Sequence, residues 1–247
     1  MTESAVVSRL RAAGCVFAED EAALLVGAAG TPEQLSALVA RRVAGEPLEY
    51  VLGWVEFCGR RIVVEAGVFV PRRRTELLVR EAAGGRVVVD LCCGSGAVGA
   101  ALGPDVELYA VDIEPAAVRC ARRNLPHATV FEGDLFAPLP ARLRGRVDVL
   151  VANVPYVPTG EISLLPPEAR LHEPRRALDG GADGLDVARR VVAGAAGWLA
   201  PGGRVLVETS AGQAPIAVDV MAGNGLLPAV ATDDELGATV VSGRAPG

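Results

Sequence analysis

Asp90-Leu91-Cys92-Cys93-Gly94-Ser95-Gly96 follows an apolar strand pattern and precedes an apolar helical pattern that begins at Ala97. Glycines let such a loop turn tightly, so that a ligand reaches backbone N–H groups at the start of the helix. The spacing Gly94-x-Gly96-x-x-Gly99 also satisfies the dinucleotide fingerprint. The loop therefore predicts a cofactor site in an α/β domain and leaves the kind of cofactor open.

The chain alternates between strand and helix periods from Pro71 onward, which predicts βαβ units and a parallel sheet. The predicted strands are Arg86–Leu91, Glu107–Asp112, Thr129–Glu132, Val147–Ala152, Arg204–Thr209 and Thr239–Ser242. The predicted helices are Thr75–Ala82, Ala97–Leu102, Pro115–Asn124, Asp186–Leu199 and Ala214–Met221.

Acidic residues around the loop narrow the choice of cofactor. Asp112 ends the second predicted strand, where a carboxylate accepts both ribose hydroxyls of a nucleoside, and Ile113 follows it in the same site. Asp90 suits the amino group of a methionine moiety but would repel a pyrophosphate. Asp134 and Leu135, after the third strand, suit the edge of an adenine. The set favours S-adenosylmethionine over NAD.

The segment Asn153-Val154-Pro155-Tyr156 directly follows the predicted strand Val147–Ala152. The Asn153 side-chain oxygen and the adjacent carbonyl of Val154 can each accept one N–H of a planar amide or amine, while Tyr156 packs on its face. This arrangement is typical of a nitrogen methyltransferase, although such a string also occurs as an ordinary turn. We assign Asn153, Val154, Pro155 and Tyr156 as catalytic candidates.

Composition excludes several classes of function. The net charge of −6 argues against a protein that coats nucleic acid. The five cysteines include no C-x-x-C pair, so neither a disulfide framework nor a metal site is expected. No apolar stretch reaches membrane-spanning length and the N-terminus lacks a signal-peptide pattern, which predicts a cytoplasmic location.

The region before Pro71 has a different pattern, with helical segments followed by a β-hairpin. Residues up to about Ala44 look helical with breaks at Gly14, Gly27 and Gly30, and Thr31 with Gln34 forms a capping box for a helix that stops at Gly45. Val55–Phe57 and Arg61–Glu65 around Cys58-Gly59-Arg60 predict a β-hairpin.

Several unusual strings give the chain a family resemblance over nearly its full length. They are Gly45-Glu46-Pro47-Leu48-Glu49-Tyr50, Glu56-Phe57-Cys58-Gly59, Val70-Pro71-Arg72, Glu173-Pro174-Arg175-Arg176-Ala177-Leu178-Asp179-Gly180-Gly181 and Asp183-Gly184-Leu185-Asp186. With Asn153–Tyr156, they resemble the protein-glutamine N5-methyltransferases that modify the Gly-Gly-Gln loop of peptide-chain release factors.

The resemblance implies a class I S-adenosylmethionine-dependent methyltransferase: a Rossmann-like α/β fold with a seven-stranded, mostly parallel sheet. It implies a helical substrate-recognition domain at 1–45, a linker and hairpin at 46–70, and the methyltransferase domain at 71–247. Cys92 through Gly96, Asp112, Leu135 and Asn153 would surround S-adenosylmethionine, leaving S-adenosylhomocysteine as product. The expected partner is a release factor taking part in translation termination, and the expected enzyme is a monomer without direct nucleic-acid or membrane partners.

Three departures from the family pattern keep alternatives open. Val154 replaces a proline, Cys92 replaces the first glycine of the cofactor loop, and Arg73-Arg74 replace a Pro-Glu pair. The alternatives are methylation of another amide or of an exocyclic amine, including a flipped nucleobase, and a noncatalytic S-adenosylmethionine-binding partner protein.

Overall fold

The computed structural model describes residues 1–247 and begins with four helices. They are α1 (Glu3–Ala12), α2 (Ala18–Ala28), α3 (Pro32–Val43) and α4 (Leu48–Leu52). These helices share a core of their own, which includes Leu10, Leu25 and Val39, all fully buried. The Thr31 hydroxyl caps α3 by accepting from the Gln34 N–H, as expected for a capping box.

A β-hairpin follows the helices. Strands β1 (Trp54–Phe57) and β2 (Arg60–Val63) pair antiparallel through a turn at Cys58-Gly59. Phe57 and Ile62 are buried against Ala97, so the hairpin packs on the helix that follows the cofactor loop.

A seven-stranded sheet forms the centre of the remaining chain. Its strands are β3 (Val87–Leu91), β4 (Glu107–Asp112), β5 (Thr129–Glu132), β6 (Val147–Ala152), β7 (Leu199–Thr209), β8 (Leu227–Asp233) and β9 (Ala238–Arg244). Their spatial order is β5-β4-β3-β6-β7-β9-β8, and β9 alone runs antiparallel to the other six strands. The strand order reverses between β3 and β6, where α/β sheets open a crevice.

Helices cover both faces of the sheet. They are α5 (Glu76–Ala82), α6 (Ala97–Leu102), α7 (Pro115–Asn124), α8 (Pro167–His172), α9 (Asp186–Ala195) and α10 (Ala214–Gly223). Leu78 and Val118 of α5 and α7 are buried on one face, whereas Val191 and Met221 of α9 and α10 are buried on the other. No helix is both long enough and apolar enough to cross a membrane.

The structure corrects four of the predictions. The helix predicted for Asp186–Leu199 ends at Ala195, because Leu199 pairs with Val147 and opens β7. Gly27 lies inside α2, where packing of Leu25 outweighs the weak helix propensity of glycine. Gln34 accepts from the Gly30 N–H rather than from that of Thr31.

The fourth correction concerns strand pairing. The second hairpin strand is Arg60–Val63 rather than Arg61–Glu65, since Glu56 pairs with Arg61 across the tight turn. A strand at Leu227–Asp233 was not predicted, because this exposed edge strand contains Pro228, which weakens a strand pattern.

Candidate active site

The predicted site residues meet at one cavity beyond the carboxyl ends of β3 and β6. Its volume is about 630 Å³. Among the residues that line it are Asp90, Cys92, Cys93, Gly94, Ser95, Asp112, Ile113, Asp134, Leu135, Asn153, Val154, Pro155 and Tyr156. Gly96 lies outside the lining and faces the end of α7, where an added Cβ would come within 2.8 Å of Leu125 Cδ1. Gly96 therefore allows the loop to pack closely against Leu125 and does not form part of the cavity surface.

Asp112 is held firmly at the end of β4. Its Oδ2 accepts from the Gly94 N–H at 2.8 Å and its Oδ1 accepts from the Glu114 N–H at 2.9 Å. Burial raises the pKa of this carboxyl group, and the backbone N–H groups oppose the shift. Each carboxylate oxygen keeps a second lone pair for a ligand hydroxyl.

Asp90 has an unsatisfied carboxylate oxygen in the cavity wall. Its side chain is 2% exposed and its Oδ2 has no hydrogen-bond partner. Burial raises the pKa of Asp90 to about 7, with Asp112 adding to the shift. A buried carboxylate without a partner is costly, so a cationic group placed here gains an unusually favourable contact.

Apolar side chains form another part of the wall. Ile113 is 40% exposed and Leu135 is buried with φ of 47°. The neighbouring Asp134 carboxylate is engaged by Arg190, whose Nη2 lies 2.6 Å away. This part of the cavity combines an apolar surface with one hydrogen-bonded carboxylate, a combination that suits a heteroaromatic ring.

Asn153 has its carboxamide oriented by Thr75. The Asn153 Nδ2 donates to Thr75 Oγ1 at 3.2 Å, and Thr75 is buried. Asn153 Oδ1 therefore points away from this contact and accepts no hydrogen bond from the protein. The carbonyl oxygen of Val154 also accepts none. Two acceptors at the end of β6 are thus available to a ligand.

Tyr156 is fixed at its hydroxyl and at its backbone. The hydroxyl donates to Glu208 Oε1 at 3.0 Å, and Arg74 lies over the ring with its Cζ 5.8 Å from the ring centroid. The Tyr156 carbonyl accepts from Gln213 Nε2 at 2.8 Å. Burial raises the pKa of Tyr156, so the phenol stays protonated.

Comparisons with known proteins identify the family. The protein-family model described as "Methyltransferase small domain" matches residues 60–182. The release factor glutamine methyltransferase of Geobacter sulfurreducens is 41% identical over 228 residues, covering 86% of this chain and 79% of that protein. The protein of the same description from Gloeobacter violaceus is 41% identical, covering 77% and 71%. This chain belongs to the release factor glutamine methyltransferase family.

Solved structures agree with the fold that the family implies. The E. cuniculi Mtq2-Trm112 complex has a chain that is 22% identical with a TM-score of 0.52, covering 72% of this chain and 99% of that one. The T. thermophilus 16S rRNA N2 G1207 methyltransferase is 20% identical with a TM-score of 0.53, covering 78% and 49%. They confirm the prediction of a class I S-adenosylmethionine-dependent methyltransferase fold.

The family departures occupy distinct places in the site. Cys92 lines the cavity with φ of 56°, a left-handed conformation that costs a residue with a Cβ about 1–2 kcal/mol. Burial raises the pKa of its thiol, so it remains uncharged. Val154 is 2% exposed and its N–H donates no hydrogen bond within the protein. Arg74 lines the cavity, whereas Arg73 does not.

Sequence reasoning missed the role of Glu173 and Arg72. These residues form an ion pair across the cavity wall, and the Glu173 side chain is only 1% exposed. Burial raises the pKa of Glu173 and Arg72 opposes the shift, while Oε2 has no partner. The only signal was the family string that contains each residue, since their pairing spans 101 positions.

A second ion pair joins the N-terminal helices to the cavity. Arg42 of α3 is buried, and it binds Glu21 of α2 and Glu168 of α8 at 2.6 Å each. Glu168 lines the cavity. The contact connects elements 126 positions apart, which no local pattern could reveal.

Two glycines support the Pro155–Tyr156 backbone from behind. A Cβ on Gly180 would lie 2.6 Å from the Pro155 carbonyl oxygen, and one on Gly184 would lie 2.2 Å from that of Tyr156. Contacts this short are not tolerated by backbone atoms. The two family strings that contain these glycines therefore describe a close backbone approach.

Proposed function

We propose that this protein transfers a methyl group from S-adenosylmethionine to the N5 nitrogen of a glutamine in the Gly-Gly-Gln loop of a peptide-chain release factor. The observation that carries the proposal is the pair of unengaged acceptors, Asn153 Oδ1 and the Val154 carbonyl, in the cavity that also holds Asp90. The related proteins carry this activity in their names.

The cavity suits S-adenosylmethionine on chemical grounds. Asp90, buried and without a partner at Oδ2, would hold the ammonium group of the methionine moiety. Asp112 would accept from the ribose hydroxyls, and Ile113 with Leu135 would cover the adenine. Bound there, the cofactor supplies an electrophilic methyl group on a sulfonium centre.

The acceptor residues orient the target nitrogen. Asn153 Oδ1 and the Val154 carbonyl each accept one N–H of the glutamine carboxamide, and the Tyr156 ring packs on its face. This geometry directs the nitrogen lone pair toward the cofactor side of the cavity. Neutral acceptors on both N–H bonds also stabilise the positive charge that develops on nitrogen. The nitrogen then releases one of its two protons to water, which leaves the neutral N-methyl amide.

Positioning supplies much of the rate in this mechanism. An amide nitrogen is a weak nucleophile, and burial raises the pKa of Tyr156 and Cys92, so both groups stay protonated and cannot accept its proton. Orientation of two reactants contributes up to about 7–11 kcal/mol in favourable cases. The half-buried, hydrogen-bonded side chains of Asn153 and Tyr156 suit such a role.

We also propose that residues 1–45 recognise the protein substrate and that the enzyme acts as a monomer in the cytoplasm. The support for recognition is the Arg42–Glu168 ion pair, which ties the N-terminal helices to the wall of the acceptor site. Sedimentation of the enzyme alone and with its release factor would test the stoichiometry.

Methyl transfer can be tested directly. The purified protein is incubated with isotopically labelled S-adenosylmethionine and release factors of the source organism, and peptide masses are read around the Gly-Gly-Gln loop. We expect one added methyl group on the glutamine. A release factor with that glutamine replaced by glutamate should gain none.

A matched pair of variants checks the site. Asn153→Ala should abolish transfer, whereas Asn224→Ala should not, because Asn224 is exposed and bonds only the Val220 carbonyl. Confirmed cofactor binding without transfer to any release factor would contradict the proposed substrate and direct the search to another amide or exocyclic amine.

A further inference from the structure

Glu208 is a buried acid that the mechanism above does not use. It lies near the end of β7, and its side chain is only 2% exposed. The pairing of Ala152 with Val207 places Glu208 beside the point where β6 gives way to Asn153. Its backbone position is therefore set by the strand pairing of the sheet.

One contact of Glu208 reaches the Tyr156 ring. Glu208 Oε1 accepts from the Tyr156 hydroxyl at 3.0 Å. A hydrogen bond to a charged acceptor is stronger and more directional than one between neutral groups. The phenol ring is consequently held by its far end, and Arg74 lies over one of its faces.

A second contact reaches Asn153. Thr75 Oγ1 accepts from Asn153 Nδ2, and the Thr75 hydroxyl also stabilises the charged form of Glu208, opposing the rise in pKa that burial causes. A hydroxyl that accepts from Asn153 has its own proton to donate. Thr75 therefore lies between the two groups, hydrogen-bonded to the Asn153 carboxamide and close enough to Glu208 to favour its charged form.

The charge on Glu208 has one nearby cation. Arg74 Nε lies 3.7 Å from Glu208 Oε1, while Oε2 is buried without any partner. A carboxylate this poorly compensated lowers stability. Retaining it in the wall of the site calls for a role other than packing.

We propose that Glu208 is a positioning residue, which orients Tyr156 through its hydroxyl and Asn153 through Thr75 so that both face the acceptor amide. The inference rests on the proposed methyl transfer. Glu208 does not touch the substrate, so its removal changes how well the reacting groups are aligned rather than how tightly the cofactor binds.

The test compares Glu208→Ala, Glu208→Gln and Tyr156→Phe with a neighbour on the same strand. Thr209→Val is the matched control, because Thr209 is buried and its hydroxyl has no partner. We expect Glu208→Ala to lower kcat by about 10–100-fold, the range expected when reacting groups are misplaced by about an ångström. KM for the release factor and Kd for S-adenosylmethionine should change by less than about threefold.

Two further results separate positioning from a general structural role. Glu208→Gln should recover part of kcat, since the amide oxygen still accepts from Tyr156. In a double-mutant cycle, Glu208→Ala should cost less in the Tyr156→Phe background than in the wild type. A wild-type kcat in Glu208→Ala would overturn the inference. So would a double variant in which the kcat losses of Glu208→Ala and Tyr156→Phe simply multiply, or a Thr209→Val variant that loses as much kcat as Glu208→Ala.

A readout without substrate keeps the inference separate from the proposed function. The Asn153 side-chain amide signal in ¹H–¹⁵N spectra, assigned by its loss in Asn153→Ala, should shift in Glu208→Gln and stay in place in Thr209→Val. An inactive wild type would contradict the proposed function alone. An unshifted Asn153 signal in Glu208→Gln would overturn the positioning role whatever the substrate.

Discussion

Different kinds of contact hold the two halves of the cavity, which we call the cofactor half, around Asp90, Asp112 and Leu135, and the acceptor half, around Asn153–Tyr156, Glu168 and Glu173. In the cofactor half, Asp112 is fixed by N–H groups of residues two and eighteen positions away. In the acceptor half, Glu173 and Glu168 pair with arginines more than a hundred positions away. Asp112 is thus held by its own turn and by the loop after the neighbouring strand, whereas Glu173 and Glu168 gain their partners only when segments far apart in the sequence have met.

The largest effect should follow from breaking the acceptor half. Arg72→Ala leaves the buried Glu173 carboxylate without its cation, and we expect a loss of about 3 kcal/mol in the free energy of unfolding. Burial already raises the pKa of Glu173. Its charged form is therefore the costly one, so the loss should shrink as the pH falls from 8 toward 5.

Thermal unfolding of Arg72→Ala at both pH values measures this effect. The double variant Arg72→Ala with Glu173→Gln should recover most of the stability, because no buried charge is left unpaired. An equal loss at pH 8 and pH 5 would show that Arg72 acts through packing on Phe69 instead, over whose ring it lies at 5.0 Å.

The next largest effect belongs to Asp90 in the cofactor half. Asp90→Asn should weaken S-adenosylmethionine binding at least about 100-fold, or about 2.7 kcal/mol, because the ammonium group loses its counter-charge. In the wild type, binding should weaken as the pH falls below about 7, where Asp90 becomes protonated. Calorimetric titration across pH 6–8 measures both.

Asp90 should also lower the stability of the cofactor-free protein. Its folded pKa of about 7 exceeds the ordinary value, so the folded state favours the protonated acid and loses stability as the pH rises from about 4 to 7. Asp90→Asn should therefore raise Tm at pH 8 and have little effect at pH 4. The exposed Asp105→Asn is the control, and a lowered Tm at pH 8 for Asp90→Asn would contradict this account.

A smaller effect should come from the ion pair at Glu168. Glu168→Gln leaves Arg42 paired with Glu21, so we expect less than about 1 kcal/mol of lost stability. KM for the release factor should rise about threefold to tenfold through looser docking of α8, with no change in cofactor affinity. The control is Glu161→Gln, because Glu161 lies in the turn shortly before α8, is exposed and forms no ion pair. This change should leave KM unchanged. If Glu168→Gln also weakened cofactor binding by a similar factor, the distinction between the two halves would be wrong.

The smallest effect should follow from restoring the family proline. Val154→Pro removes an N–H that bonds nothing in the protein, so stability should change by less than about 1 kcal/mol. Val157→Pro is the contrasting variant, because the Val157 N–H donates to the Leu178 carbonyl at 3.0 Å. Similar unfolding curves for the two variants would contradict the assignment of a free N–H to Val154.

The fold and the cofactor half could be predicted from the sequence more completely than the acceptor half. Glu107–Asp112 and Val147–Ala152 were predicted to the residue, because buried parallel strands leave continuous apolar runs that end at functional residues. Asp90 and Asn153 followed from those ends. The roles of Glu208, Thr75 and Glu173 did not follow, since each depends on a partner brought near by folding.

The glycines behind the Pro155–Tyr156 backbone have a consequence for reading mutational scans. Every side chain at Gly180 or Gly184 would push a Cβ into a backbone carbonyl, so both positions should reject all nineteen replacements. A tolerance map would rank them with Asn153, although Gly180 and Gly184 do not line the cavity. Intolerance in this protein therefore marks the support of the acceptor site as strongly as the site itself.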